Sequence, residues 1–376
     1  MSGLEQLESF LRKDPSNAVL ACDLMGQWLA AGRAEHAIEM LDLLSPGARR
    51  DHGVRFYEAR ARLQSDDAPA AADILRELLA DGADAPAIHH DLAYAEFAQG
   101  HLEAASEALQ PALHGHPPLL DAQRLQARLL HWQGRLDEAL RTIDEALAGH
   151  PGDDEATGIR ALLLLDLNRF DEAGRAALAA LSRDPTQLEA GITAGTLALW
   201  HQRVNEAVAV FGRTANRHPQ AGRALAGLGQ AHMLGGNIPE ARRVLEHATA
   251  RMPNHIGTWH ALAWCQLLLG DLASAQVSYE LAFALDRGFG ETHGGFAVLH
   301  ALRGNVTEAE AAIVRARRLD PNGRSAVYAQ ALLVLADGRD DEAAALVAPV
   351  LAQTPASQAT DPLEFLRRLR AQMTRT

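Results

Sequence analysis

The sequence predicts an all-α solenoid of about ten tandem helix-turn-helix repeats, 34 residues each, with a capping helix at either end. Three observations carry this expectation: a ladder of turn-forming residues at fixed spacing, an alanine at one phase of every rung, and prolines at a third phase.

The turn ladder comes first. Gly32, Gly100, Gly134, Gly236, Gly270, Gly304 and Gly338 are separated by multiples of 34. The three rungs without glycine hold Asp66, Asn168 and Gln202. Aspartate and asparagine tolerate the left-handed backbone that glycine adopts without cost, so Gln202 is the awkward occupant. Five residues after each rung stand Ala37, Ala71, Ala105, Ala139, Ala173, Ala207, Ala241, Ala275, Ala309 and Ala343. An alanine at every one of these phased places implies a helix crossing too close for a larger side chain.

The third phase carries Pro15, Pro117, Pro151, Pro185, Pro219, Pro253, Pro321 and Pro355, with Arg49, Ala83 and Arg287 at the vacant places. Proline there ends one helix and begins the connection to the next. Between turn and proline the apolar residues recur at three and four, as in Ala139, Leu140, Ile143, Ala146 and Leu147, which gives one buried helical stripe. Two further prolines, Pro111 and Pro349, share one position inside a second helix and predict a local bend.

Leu225, Leu228, Gly229, Ala241, Leu245, Ala248 and Pro253, and Trp259, Leu262, Ala263, Ala275, Tyr279 and Ala282 in the following repeat, occupy the slots of a known signature. In them the chain resembles the tetratricopeptide repeat (TPR). The resemblance implies a right-handed superhelical solenoid whose repeats start at Ala18, His52, Pro86, Leu120, Asp154, Leu188, Gly222, Ile256, Gly290 and Arg324. The repeats at 52–85 and 154–187 keep least of the pattern in their first helix.

The domain expectation is therefore a capping half-repeat over 1–17, ten repeats over 18–357 and a capping helix over 358–376. Leu4, Leu7, Phe10 and Leu11 give the first cap an apolar face. Asp361 and Pro362 start the last one, with Leu363, Leu366, Leu369 and Met373 on one side and Arg367, Arg368 and Arg370 pointing elsewhere.

Composition excludes several function classes. The formal charge of -13 disfavours a grip on phosphates or on an anionic membrane. Lys13 is the one lysine among 35 basic residues, a bias that reads as codon usage in a GC-rich bacterial genome and that removes lysine chemistry. The segment from Met1 to Phe10 lacks an apolar run, so neither a secretory signal nor a membrane span is expected, and a reducing cytoplasm is the simplest compartment. Cys22 and Cys265 lie seven repeats apart, too far to bridge in an extended solenoid.

In the TPR family the first helices line the concave face through repeat positions 2, 5, 6, 9, 12 and 13. Mapped by that resemblance, the partner-binding candidates are Phe56, Tyr57, Arg60, His90, Tyr94, Arg124, Arg128, His131, Trp132, Trp200, His260 and Trp264. Asp91, Phe97, Gln230 and Tyr328 fall at the same positions. Aromatic and arginine side chains dominate binding energy when a partner buries them, though the same residues also serve simply to cover the wall. Arg60, Arg124 and Arg128 either receive a carboxylate from a partner or pair internally with Asp91 or Asp121. The lysines and asparagines of the family's carboxylate clamp are absent from these positions.

Seventeen histidines lack the spacing of a zinc site, and His116, His150 and His218 recur at one helix end, where capping of carbonyls explains them. The glycines over 222–236 and 288–295 lack the lysine and hydroxyl of a phosphate loop. Gly294 and Gly295 either admit a ligand to the backbone or loosen their helix. No nucleophile stands with a base and an orienting acid, so no cofactor, metal or catalytic residue is expected.

The reading is a non-catalytic interaction scaffold or adaptor for a partner protein or peptide, with no nucleic acid, no membrane insertion and oligomeric state open. Two alternatives stay beside it: a regulatory receptor for a short peptide or small ligand, and the recognition subunit of a separately encoded enzyme or assembly machine.

Overall fold

The computed structural model describes residues 3–115, 119–352 and 361–371, and within them every regular element is helical. Pro117, Pro355, His116 and Met373 lie outside the described residues. The chain divides into two compact units, Met1–Arg169 and Phe170–Thr376.

The amino-terminal unit contains α1 (Gly3–Lys13), α2 (Ala18–Ala30), α3 (Ala34–Glu39), α4 (His52–Gln64), α5 (Ala68–Ala80), α6 (Pro86–Ala98), α7 (Leu102–Leu113), α8 (Leu120–Trp132), α9 (Leu136–Gly149) and α10 (Asp154–Asp166). The carboxy-terminal unit contains α11 (Phe170–Arg183), α12 (Leu188–Trp200), α13 (Val204–Arg217), α14 (Gly222–Leu234), α15 (Ile238–Arg251), α16 (Ile256–Leu268), α17 (Leu272–Leu285), α18 (Gly290–Leu302), α19 (Val306–Leu319), α20 (Arg324–Ala336), α21 (Asp340–Ala352) and α22 (Pro362–Ala371). Each of the ten first helices spans thirteen residues, including α4 and α10, where the signature is weakest. In α10 the run Leu162 to Leu165 is buried throughout, which replaces the missing pattern with apolar area.

What closes each hairpin is visible in the backbone. All ten ladder residues have positive φ, from 59° at Asn168 to 81° at Gly270. In every one of these turns the next N–H donates to the carbonyl five residues back, as in Arg33 to Trp28 (2.9 Å), Arg135 to Leu130 (2.9 Å) and Arg203 to Ala198 (2.8 Å). This is the closure that a left-handed residue after a helix permits, and it satisfies carbonyls the helix end would leave open. At Gln202, φ is 63° on a residue with a Cβ, a conformation that costs roughly 1–2 kcal/mol. Gln202→Gly therefore raises stability by about 1 kcal/mol after the added freedom of the unfolded chain is counted, measured as a higher urea midpoint. An unchanged midpoint would show that the backbone there is held without strain.

Packing follows from the alanine phase. All ten phased alanines are 0% exposed, so each marks a place where two helices meet with no room for a longer side chain. First helices pack beside first helices of the neighbouring repeat (α2 with α4 and α8 with α10, then α12 with α14 and α18 with α20), while each second helix fills the space before the next first helix. Pro15, Pro151, Pro185, Pro219, Pro253 and Pro321 lie in the turns between repeats. At the vacant place Ala83 a different device ends α5: Gly82, with φ 87°, closes the helix by a bond from the Ala83 N–H to the Leu78 carbonyl (2.9 Å).

One repeat departs from the expected plan. In the first repeat α3 gives way after Glu39 to a 3-10 turn, Met40–Leu43, and Leu44 is extended. Pro46, which the proline ladder does not contain, stands three residues after this turn; it disfavours helix at Ser45 and cannot donate a helical bond, so the second helix of this repeat does not resume. Pro111 and Pro349 lie inside α7 and α21, which run on to Leu113 and Ala352.

At the ends, α1 buries Leu11 completely and rests Leu4 and Leu7 on the core, whereas Phe10 is turned outward. Helix α22 is capped by the Asp361 carboxylate, which accepts from the Glu364 N–H (2.7 Å), and it buries Leu366 and Leu369. Arg367 pairs with Asp340, Arg368 with Glu364, and Arg370 donates to the Leu335 carbonyl (3.3 Å).

Candidate functional site

The candidate positions lie on the first helices, and each compact unit presents its own face. In the amino-terminal unit α4, α6, α8 and α10 stand side by side, which lets long side chains reach across repeat boundaries. Arg60 lies 3.4 Å from the buried Asp91 and 5.7 Å over the Phe56 ring, and Phe56 meets Tyr57 edge-on at 6.0 Å. His90 Nδ1 is 2.8 Å from the other Asp91 oxygen.

Arg124 is more heavily engaged. Its guanidinium contacts Asp121 (2.8 Å), Glu155 (2.9 Å) and Asp153, and Arg128 contacts Glu155 (2.8 Å). Burial pushes the Asp153 carboxyl up, but the Ala156 N–H and the Arg124 guanidinium outweigh it and hold it below its ordinary value. His131 Nε2 meets Asp166 at 2.7 Å. All three arginines have internal partners: Arg60 has Asp91 and Arg124 has Asp121, the two expected as internal partners, whereas Arg128 has Glu155. Asp153, Glu155 and Asp166 were missed as partners: they lie 29 to 35 residues beyond Arg124 or, for Asp166, His131, with Asp153 at the last position of the repeat that holds Arg124 and the other two in the repeat that follows. The signal for Asp153 was its place just before α10, where its carboxylate accepts from the Ala156 N–H (2.9 Å).

Besides the half-exposed Arg60, this face leaves two aromatic rings uncovered. Trp132 is 68% exposed, resting edge-on against Phe97 at 6.4 Å, and Tyr94 is 42% exposed.

In the carboxy-terminal unit Trp200 is 54% exposed and stands edge-on to Phe170 at 4.4 Å. His260 is partly buried, with Nε2 2.8 Å from Thr292 Oγ1 and with the rings of Tyr279 (5.4 Å) and Phe289 (5.2 Å) edge-on to it. Burial among these groups pulls its pKa down to about 4. Tyr279 is fully buried and its hydroxyl has no hydrogen-bond partner among the described residues; burial pushes its pKa up. Trp264 meets Tyr328 at 5.2 Å, and Tyr328 meets Phe365 at 5.6 Å.

The two glycines of α18 serve this packing. A Cβ on Gly294 would stand 2.6 Å from Ser325 Cβ, and one on Gly295 would stand 2.3 Å from Tyr279 Cε1. The space that the sequence left to a ligand or to a loose helix is filled by protein.

The remaining candidates resolve simply. His218 Nε2 lies 2.9 Å from the Thr186 carbonyl, so it ties its helix end to the preceding connection rather than to its own helix. Among the described residues no group of three or more His, Cys, Asp or Glu side chains is placed to hold a metal ion. Both cysteines are free thiols, and burial pushes Cys265 up to about 12. No described helix is long and apolar enough to cross a membrane.

Sequence models described as tetratricopeptide repeat match residues 90–154, 124–187, 198–265, 256–289 and 297–357. The chain belongs to the tetratricopeptide-repeat family. No curated protein matches it in sequence. Among solved structures it is similar to YrrB, described as a TPR protein with an unusual peptide-binding site, at 20% identity over 50% of this chain and 97% of that one (TM-score 0.42). It is similar to PilF of Pseudomonas aeruginosa at 16% identity over 56% and 96% (TM-score 0.48). It is also similar to the human IFIT1 dimer with PPP-AAAA at 14% identity over 97% and 93% (TM-score 0.53). Likeness at these identities concerns the fold. TPR proteins are in general interaction scaffolds, and the repeats support that class for this chain.

Proposed function

We propose that this TPR chain is a non-catalytic adaptor that holds a partner protein or peptide against its first helices. In this reading ten repeats over 18–357 stand between caps at 1–17 and 358–376, and Cys22 and Cys265 stay reduced in the cytoplasm.

The observation that carries the reading is the exposure of Trp132 and Trp200, with Tyr94 beside the first of them. Large aromatic side chains left in water on the first helices are anchors waiting for cover. Phe56, Tyr57, His90, His131, His260 and Trp264 support that face from partly buried positions. Arg60, Arg124 and Arg128 shape it through their ion pairs and leave the anchoring to the rings. The net charge of -13 argues against nucleic acid as the partner.

The test is photo-crosslinking in cells with benzoylphenylalanine placed at Trp132, at Trp200 or at Leu178, which is 71% exposed on the second helix α11. The expected result is one discrete protein adduct from 132 or 200 and none from 178. Adducts from 178 alone would move the interface to the other face and reject the reading.

A further inference from the structure

The two units differ in a property that neither the fold nor the family requires. At repeat positions 5, 6, 9, 12 and 13, the repeats beginning at 18, 52, 86, 120 and 154 carry Asp23, Arg60, Asp91, Arg124, Arg128 and Asp166. The same positions in the repeats beginning at 188, 222, 256, 290 and 324 hold no Asp, Glu, Lys or Arg. Twelve of those twenty-five positions are buried and would exclude charge in any case, but the thirteen that are not buried are uncharged as well, in a chain with 22% charged residues.

Charges do occur at the margin of this second face, at repeat position 2, as Glu189, Arg223 and Glu291, and all three are already engaged. Glu189 accepts from the Gln187 side-chain amide (2.6 Å), and Glu291 accepts from the Arg324 N–H (2.5 Å) and the Ser325 N–H (3.2 Å) at the start of α20. The face itself presents Trp200, Gln230, Met233, His260, Trp264 and Tyr328, all partly or well exposed. His260 has one ring nitrogen committed to Thr292.

We propose that the first-helix face of the carboxy-terminal unit receives an uncharged, apolar helical segment of a partner protein. This rests on the adaptor reading and deepens it. A charged side chain entering the face would lose water and meet no counter-charge at these positions, the marginal ones being already engaged, which is strongly unfavourable. An extended segment would bring its own N–H and C=O groups against a surface with few free polar side chains, whereas a helix satisfies its backbone internally. Apolar in side chain and helical in backbone is the occupant that both arguments select. The ion-paired face of the amino-terminal unit lacks this restriction.

The experiment uses the full chain and two labelled synthetic helical peptides of about 18 residues, roughly 27 Å long. One is built from Leu, Ala, Ser and Gln; the other carries Glu and Arg in place of its Ser and Gln. The expected result is that the uncharged peptide binds with an affinity unchanged between about 50 and 500 mM salt. Gln230→Glu, which keeps the size of the side chain, weakens it by about tenfold, and Gln230→Met leaves it intact or tightens it. Tighter binding of the charged peptide overturns the proposal. If Trp132→Ala abolishes binding while Gln230→Glu leaves it unchanged, the proposal falls and the adaptor reading stands. If neither peptide responds to either substitution, both fall.

Discussion

Gly295→Ala lowers the stability of the carboxy-terminal unit by about 1–3 kcal/mol, the usual cost of forcing an atom into a filled core. In an exposed helix the same change gains about 1 kcal/mol, because glycine is a poor helix former. Here the new Cβ would stand 2.3 Å from Tyr279 Cε1 and 2.4 Å from Cζ, and Tyr279 has no exposed side on which to retreat. Gly212→Ala supplies the contrast: Gly212 lies in α13 with nothing within 4 Å of an added Cβ, so that variant is stabilised. The decisive measurement is a double-mutant cycle by urea unfolding with Tyr279→Leu, which removes the obstructing ring. The cost of Gly295→Ala shrinks in that background if the ring is the obstacle. An equal cost in both backgrounds would mean that the clash lies elsewhere.

Acid loosens the same region before it protonates the carboxylates that have lowered pKa values. His260 has a folded pKa of about 4 against an ordinary value of 6.5. The unfolded chain therefore binds the proton more readily, and stability falls as pH drops from 6.5 toward 4. One pKa unit corresponds to about 1.4 kcal/mol, so the loss between pH 7 and 5 is about 2 kcal/mol. Glu8, Asp153 and Asp271, held below their ordinary 4.5 and 3.8, also lose stabilisation on acidification, but only as pH falls below those values. His260→Gln keeps a partner for Thr292 and removes the titration. Urea midpoints at pH 7 and pH 5 then converge for the variant and diverge for the parent. Equal slopes in the two proteins would show that His260 gains its proton without penalty in the fold.

The architecture was legible because it is written in local chemistry. A residue that must adopt positive φ betrays itself by type, and an alanine that must vanish between two helices betrays itself by recurrence. Gln202 shows where that reading strains: nothing in its type announces a left-handed backbone, and only the spacing places it on the ladder. Pro46 shows a failure of the opposite kind, since the repeating phase does not announce it and the second helix of that repeat ends early, at Glu39. The binding faces were less legible. Frame arithmetic found Arg124 and Trp132, but whether a side chain is free depends on neighbours 29 or more residues away. Asp153 and Glu155 claimed the arginine and left the tryptophan in water. Burial of the Tyr279 hydroxyl has no signature in sequence, because it depends on a bare Cα that another helix supplies.

The bonds that close the ten turns join groups five residues apart, so a hairpin gains its closure before any distant part of the chain has arrived. Nucleation can then begin at whichever rung forms first and spread by zippering onto the adjacent pair, with little loop entropy lost at each step.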